Sequence, residues 1–157
     1  QYLKKEDPSK LADEIIPLLA ERKYIDPNNF DRDHVISLVK LFQGRLTTIN
    51  DFPDWADFFF VDELNIEPKA AEKYLNKDFS HEFSLFTERL KLLKSFDIVS
   101  IEESFRSLVS ELGIEAKVLI HPVRVALTGK TVGPGLFEVI YYLGLQKTIK
   151  RLARFIK

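Results

Sequence analysis

Helix start and stop signals recur along the whole chain, whereas no two alternating apolar runs are joined by a hairpin turn, and this punctuation points to an all-α fold. Asp7 followed by Pro8 supplies an N-cap and a first-turn proline, after which Leu11, Ile15, Leu18 and Leu19 recur at helical spacing. Pro17 is expected to kink that helix. Asp31 can cap a second helix striped by Val35, Leu38, Val39 and Phe42, with Gly44 placed to end it and Arg45 directly behind. A third short element starting near Asp51 carries Phe52, Trp55, Phe58 and Phe59, a dense aromatic group read as core rather than as a stacking platform.

The charged, proline-containing stretch 61–69 reads as the join between two helical subdomains, 8–66 and 67–157, with residues 1–7 as a linker. Beyond it a helix is expected over 68–75. Ser80 opens another that runs to about Ser95 and buries Phe83, Phe86, Leu90 and Leu93. Ser100 and Glu103 form a capping box for a helix whose buried face is Phe105, Leu108, Val109 and Leu112, and Gly113 stops it. Residues 116–127 continue as an apolar helix containing Pro122 and ended by Gly129; Gly133, Pro134 and Gly135 then introduce a helix over 136–143, closed by Gly144. The final helix places Leu145, Ile149, Leu152 and Ile156 on one stripe and leaves Lys147, Lys150, Arg151, Arg154 and Lys157 on the remaining faces.

Charge is unevenly spread. Residues 117–157 hold eight Lys or Arg against a single carboxylate, Glu138, while the residues before them hold 15 against 23. A basic end of this kind suits a polyanionic partner, although a lysine-rich helix face is also an ordinary solvated surface, and charge alone leaves both readings open. With no cysteine, the chain has no disulfide, thiolate nucleophile or thiolate metal site. His34, His81 and His121 stand far apart, without metal-ligand spacing. No stretch approaches the roughly 20 apolar residues of a membrane span, and a soluble, cytoplasmic protein is expected. The chain starts at Gln1 and contains no Met, which reads as a piece of a longer polypeptide.

Few residues offer chemistry of their own. Asp13 with Glu14, Asp62 with Glu63, and Glu102 with Glu103 are acid pairs, but they read as solvated carboxylates near helix ends rather than converging catalytic groups. The glycines from 129 to 135 lack the preceding strand and the GK[ST] ending of a phosphate loop and read as backbone hinges. His121, beside Pro122 in an apolar helix, reads as a hydrogen-bonded structural imidazole. Arg124, between Val123 and Val125, must reach solvent, a carboxylate or a partner.

The string HPVRVALTGKTVGPGLFEVIYYLG, residues 121–144, resembles the C-terminal motif of bacterial-type glutamyl-tRNA synthetases, and Lys147 and Leu152 extend the likeness into a basic closing helix. Upstream, LFQGRLTTINDF, residues 41–52, is similar to the segment in which that family carries an Arg followed by a Thr-Leu or Thr-Ile step. The similarity is colinear from Tyr2 to Lys157, with residues 1–7 matching the end of the preceding stem-contact region. It implies an anticodon-binding region built as a helical cage of two subdomains. By the same resemblance, Arg45 reads the third anticodon base, and Arg124 and Leu136 surround the first. Gly133 stands where some relatives carry Thr, so at that position only the backbone can contribute. Lys130, Lys147, Lys150, Arg151 and Arg154 are the candidate phosphate contacts.

The implied partners are glutamate tRNA and the catalytic domain of a parent chain, acting as a monomer. The fragment itself is expected to hold no cofactor and to catalyse nothing, because the HIGH-type and KMSKS-type signatures do not occur in it, whereas the parent would use ATP and Mg as a glutamate-tRNA ligase. The competing class is a helical protein-interaction module that docks through the aromatic group from Phe52 to Phe60.

Overall fold

In the computed structural model, which describes residues 2–157, a short helix α1 (Tyr2–Lys5) precedes α2 (Pro8–Glu21), whose start is fixed by Asp7 accepting from Ser9 N at 2.9 Å. Helix α2 runs through Pro17 as one element, with the proline on its exposed side. A loop then leads to α3 (Arg32–Phe42), where Asp31 accepts from His34 N at 3.1 Å. Gln43 follows α3, and its amide donates to the Leu3 and Glu6 carbonyls at 2.7 and 2.6 Å, tying α1 down. Gly44, expected to end α3, lies just past it without a positive φ, and Arg45 N and Leu46 N both reach the Phe42 carbonyl.

A 3₁₀ turn at Ile49–Asp51, helix α4 (Phe52–Trp55) and a second 3₁₀ turn at Asp57–Phe59 complete a first unit that ends at Asp62. Its core sets Leu11, Ile15 and Leu19 of α2 with Val35, Leu38, Val39 and Phe42 of α3, all buried. Phe42 meets Phe52 edge-on at 5.6 Å and Phe59 at 6.3 Å, so the aromatic group closes the end of the unit. Each such side chain contributes about 1.5–3 kcal/mol on burial. Trp55 departs from the expected core role: it is 38% exposed, because the short α4 turns its last residue outward while Phe52 and Pro53 turn in.

The second unit, Glu63–Lys157, holds the remaining helices α5 (Pro68–Tyr74), α6 (Ser80–Lys91), α7 (Ile98–Leu112), α8 (Ala116–Thr128), α9 (Leu136–Leu143) and α10 (Leu145–Ala153). Helix α7 packs on α6 and α9, α10 packs on α6, α8 and α9, and α5 lies on α8. Phe86 and Phe105 meet edge-on at 5.3 Å, and Phe105 reaches Phe137 at 5.4 Å, which joins α6, α7 and α9 through one aromatic chain.

Three boundaries differ from expectation. Helix α7 begins at Ile98, capped by Asp97 accepting from Ser100 N at 2.8 Å; a carboxylate three positions earlier captures the orphan amide before Ser100 can act as cap. Helix α6 stops at Lys91, short of Ser95, and leaves Leu93 half-buried. Helix α10 stops at Ala153, where Phe155 N and Ile156 N turn back to the Leu152 and Ala153 carbonyls. Among the described residues there is no strand, only an isolated bridge between Asp26 and Asn29.

Candidate nucleic-acid interface

Arg45 lies in the turn that follows α3, with its backbone held by the Phe42 carbonyl at 2.8 Å and by Leu46, which is buried immediately after it. On the other side the turn is capped from both ends, Thr48 Oγ1 accepting from Asn50 N and Asp51 Oδ2 accepting from Thr48 N. The loop is thus fixed at both ends while Arg45 itself is exposed. The other two arginines of this unit are satisfied internally: Arg22 donates to Asp54 at 2.7 Å, and Arg32 donates to Asp13 at 2.6 Å. Among the described residues, nothing accepts from the Arg45 guanidinium. A forked, donor-only group is therefore presented outward.

In the second unit the corresponding construction is the turn from α8 into α9. Gly129 ends α8 in the left-handed region at φ 76°, and a Cβ built on it would lie 2.3 Å from the Asn65 carbonyl oxygen. Glu67 N donates to the Gly129 carbonyl at 3.0 Å, so the stretch 65–67 runs directly against this glycine. Thr128 is the buried node of the turn: its hydroxyl lies 2.8 Å from the Arg124 carbonyl and 3.1 Å from the Lys130 carbonyl, and accepts from Lys130 N at 3.1 Å. Arg124 is half-buried, and its Nη1 donates to the Pro134 carbonyl at 2.6 Å. The loop 130–134 is therefore clamped at its first residue by Thr128 and at its last by Arg124. Gly133 sits beside that clamp, with Arg124 Nη1 3.6 Å from where its Cβ would be.

Two expected site residues are placed differently. Leu136, expected to touch a base, is only 3% exposed; as the first residue of α9 it is packed into the core, so its side chain supports the loop from beneath. Arg151, expected among the phosphate contacts, is 6% exposed and donates to the Leu127 carbonyl at 2.7 Å. Helix α8 ends at Thr128, leaving its last carbonyls without intrahelical partners, and α10 packs there, so position 151 faces an electronegative helix end rather than solvent. Lys150 and Arg154 are exposed, and Lys130 and Lys147 are half-buried. Arg154 Nη1 also donates to the Leu64 carbonyl at 3.1 Å, and its guanidinium lies over the Phe155 ring.

His121 differs from the expected hydrogen-bonded imidazole. Its ring stacks on Tyr74 at 4.7 Å in the α5–α8 contact, and its buried Nδ1 has no hydrogen-bond partner among the described residues. The Thr128 node and the approach of 65–67 to Gly129 were not foreseen from the sequence; a Thr directly before a helix-ending Gly was the one local signal for the first, and nothing local announced the second. Among the described residues no three metal-ligating side chains converge, and no helix is long and apolar enough to cross a membrane.

Residues 10–156 match a family model described as anticodon binding domain. The chain is 36% identical over 157 residues to glutamate-tRNA ligase 1 of Caldanaerobacter subterraneus subsp. tengcongensis, a match that covers 99% of this chain and 32% of that protein. It is 34% identical to the glutamate-tRNA ligase of Thermodesulfovibrio yellowstonii, with 99% of this chain and 34% of that one covered. The chain thus spans about a third of the length of the curated relatives it matches. Among solved structures, a glutamate tRNA ligase from Elizabethkingia meningosepticum superimposes with a TM-score of 0.87 at 23% identity, covering 98% of this chain and 30% of that one. The synthetase from Elizabethkingia anophelis gives 0.84 at 24%, with 99% and 30% covered, and both likenesses show the all-α fold.

Proposed function

The chain belongs to the anticodon binding domain family, and from that premise we propose that it reads the anticodon loop of glutamate tRNA for a glutamyl-tRNA synthetase. In this reading the two units are the two anticodon-binding subdomains, and the rest of the parent chain attaches glutamate to the tRNA with ATP and Mg. The observation that carries it is Arg45, exposed on a fixed loop while Arg22 and Arg32 are held by carboxylates of their own unit.

Arg45 accounts for specificity through donor and acceptor matching. Cytosine offers a carbonyl oxygen and a ring-nitrogen acceptor to a guanidinium, whereas guanine turns an N–H toward it. A glutamate anticodon, ending in C, is then accepted, and a glutamine anticodon, ending in G, leaves two donors facing one another. By the scale of bidentate base readout, the discrimination is about 1–3 kcal/mol. Single-stranded loop bases expose those edges, which is the usual route to reading RNA sequence. Arg124 has a second role here: its hydrogen bond to the Pro134 carbonyl shapes the 130–134 loop, which together with the Gly133 backbone meets the first anticodon base. Leu136 holds that loop from the core side, and Lys130, Lys147, Lys150 and Arg154 add salt-dependent attraction to phosphate.

The test is the relative binding and charging of glutamate and glutamine tRNAs by the full-length enzyme and by Arg45→Gln. The substitution is expected to lower the preference for the glutamate tRNA by about tenfold or more, each factor of ten being about 1.4 kcal/mol. An unchanged preference would remove Arg45 as the reader. The docking-module alternative loses its patch, since Phe58 and Phe59 are buried and Trp55 alone of the three is exposed.

A further inference from the structure

A cleft of about 330 Å³ opens in the second unit between the loop 75–79 and the turn 154–157. Leu75, Phe79 and Phe155 give it apolar walls, and its lining holds three cationic side chains, Lys77, Arg154 and Lys157, against one acidic side chain, Asp78. That carboxylate is already engaged: Asp78 Oδ1 accepts from Ser80 N at 2.9 Å and from Ser80 Oγ at 2.5 Å. Those two bonds, with help from the positive charge of Lys157, hold the Asp78 carboxyl below its ordinary value. Ser80 Oγ also accepts from Lys157 N at 2.9 Å, so one hydroxyl ties the two walls together. Arg154 is oriented by the Leu64 carbonyl and the Phe155 ring. By contrast, the ammonium groups of Lys77 and Lys157 have no hydrogen bond and no carboxylate within ion-pair distance among the described residues. Lys150 on α10 and Arg154 at its C-terminal cap are both exposed, so basic side chains lead along the end of the helix toward this cleft.

We propose that this cleft binds a phosphate group, held by Lys77, Lys157 and Arg154. Three cationic residues in the lining of one concave site match a tetrahedral oxyanion, which accepts several charge-assisted hydrogen bonds at once. The phosphate belongs either to the RNA backbone, a source that rests on the anticodon reading above, or to a free phosphate compound, which does not. Lys77 and Lys157 belong to no part of the proposed base-reading machinery.

The experiment uses the full-length protein and its double variant Lys77→Ala/Lys157→Ala, with Lys77→Arg/Lys157→Arg as the charge-keeping control. Inorganic phosphate is titrated calorimetrically against potassium chloride at equal ionic strength, and binding of a glutamate anticodon stem-loop is followed as a function of salt. Loss of the two ammonium groups is expected to weaken phosphate by about tenfold or more, with recovery in the Arg variant. If the RNA backbone is the source, the slope of log affinity against log salt also becomes shallower by about 0.7 for each ammonium removed. Weakened phosphate with an unchanged slope assigns the cleft to a free phosphate compound. If phosphate binding and slope are both the same in wild type and double variant, the proposal is wrong. A protein that shows phosphate binding in the cleft but no preference between glutamate and glutamine stem-loops would instead sink the anticodon reading and leave the cleft standing.

Discussion

Gly113 and Gly129 both end a helix in the left-handed region, yet they differ in what surrounds them. A Cβ at Gly113 meets nothing within 4 Å, whereas one at Gly129 would overlap the Asn65 carbonyl oxygen. Gly113→Ala should therefore cost only the backbone term of about 1–2 kcal/mol. Gly129→Ala adds a clash with main chain that cannot rotate away, for a total of about 2–5 kcal/mol. Denaturant titration of the two variants checks the ordering, and equal losses would show that 65–67 yields freely. Arg45 is the residue-scale counterpart on the functional side: the sequence places an Arg after a helix-ending turn, but only the fates of Arg22 and Arg32 single out Arg45 as available.

At the scale of elements, α10 shows why helical periodicity alone mislabels a cation. Position 151 lies on the buried side because α10 packs against the end of α8, and the guanidinium answers the Leu127 carbonyl. Arg151→Met should destabilise the protein by about 1.5–3 kcal/mol through the lost charge-assisted bond, with no change in the salt dependence of RNA binding. Lys150→Ala, one residue earlier and exposed, should do the reverse: stability within about 0.5 kcal/mol and a salt slope shallower by about 0.7. Helix α7 gives an element-scale pH effect. Asp97 accepts from the backbone and side chain of Ser100 and from Ser95, which together hold its carboxyl below the ordinary 3.8. A depressed carboxyl stabilises the fold above its unfolded value, and the contribution is lost as pH falls through the folded one. In Asp97→Asn the acid-induced loss of α7 helicity below pH 3.8 should flatten relative to wild type, as read by circular dichroism.

For the whole molecule, the unit ending at Asp62 carries eight Lys or Arg against 12 Asp or Glu, while Glu63–Lys157 carries 15 against 12. Salt-dependent attraction to RNA should accordingly reside in the second unit, and preference at the third anticodon base in the Arg45 loop of the first. The expected signature is that Arg45→Gln changes anticodon preference far more than salt slope, while Lys150→Ala changes slope and leaves preference alone; salt titrations of wild type and both variants on one pair of stem-loops separate the two. The sequence alone determined the all-α class, most helix positions and the glycine stops at 113, 129 and 144, because caps, stops and periodic stripes are local and follow from a few neighbouring residues, while a family resemblance put Arg45 and Arg124 forward as candidates. Only the tertiary structure decided that Leu136 and Arg151 face inward, that Arg124 clamps the Pro134 carbonyl, and that Lys77 and Lys157 share a cleft. Those outcomes depend on which helix lies across each face, and partners brought together from distant parts of the chain leave no trace in local spacing.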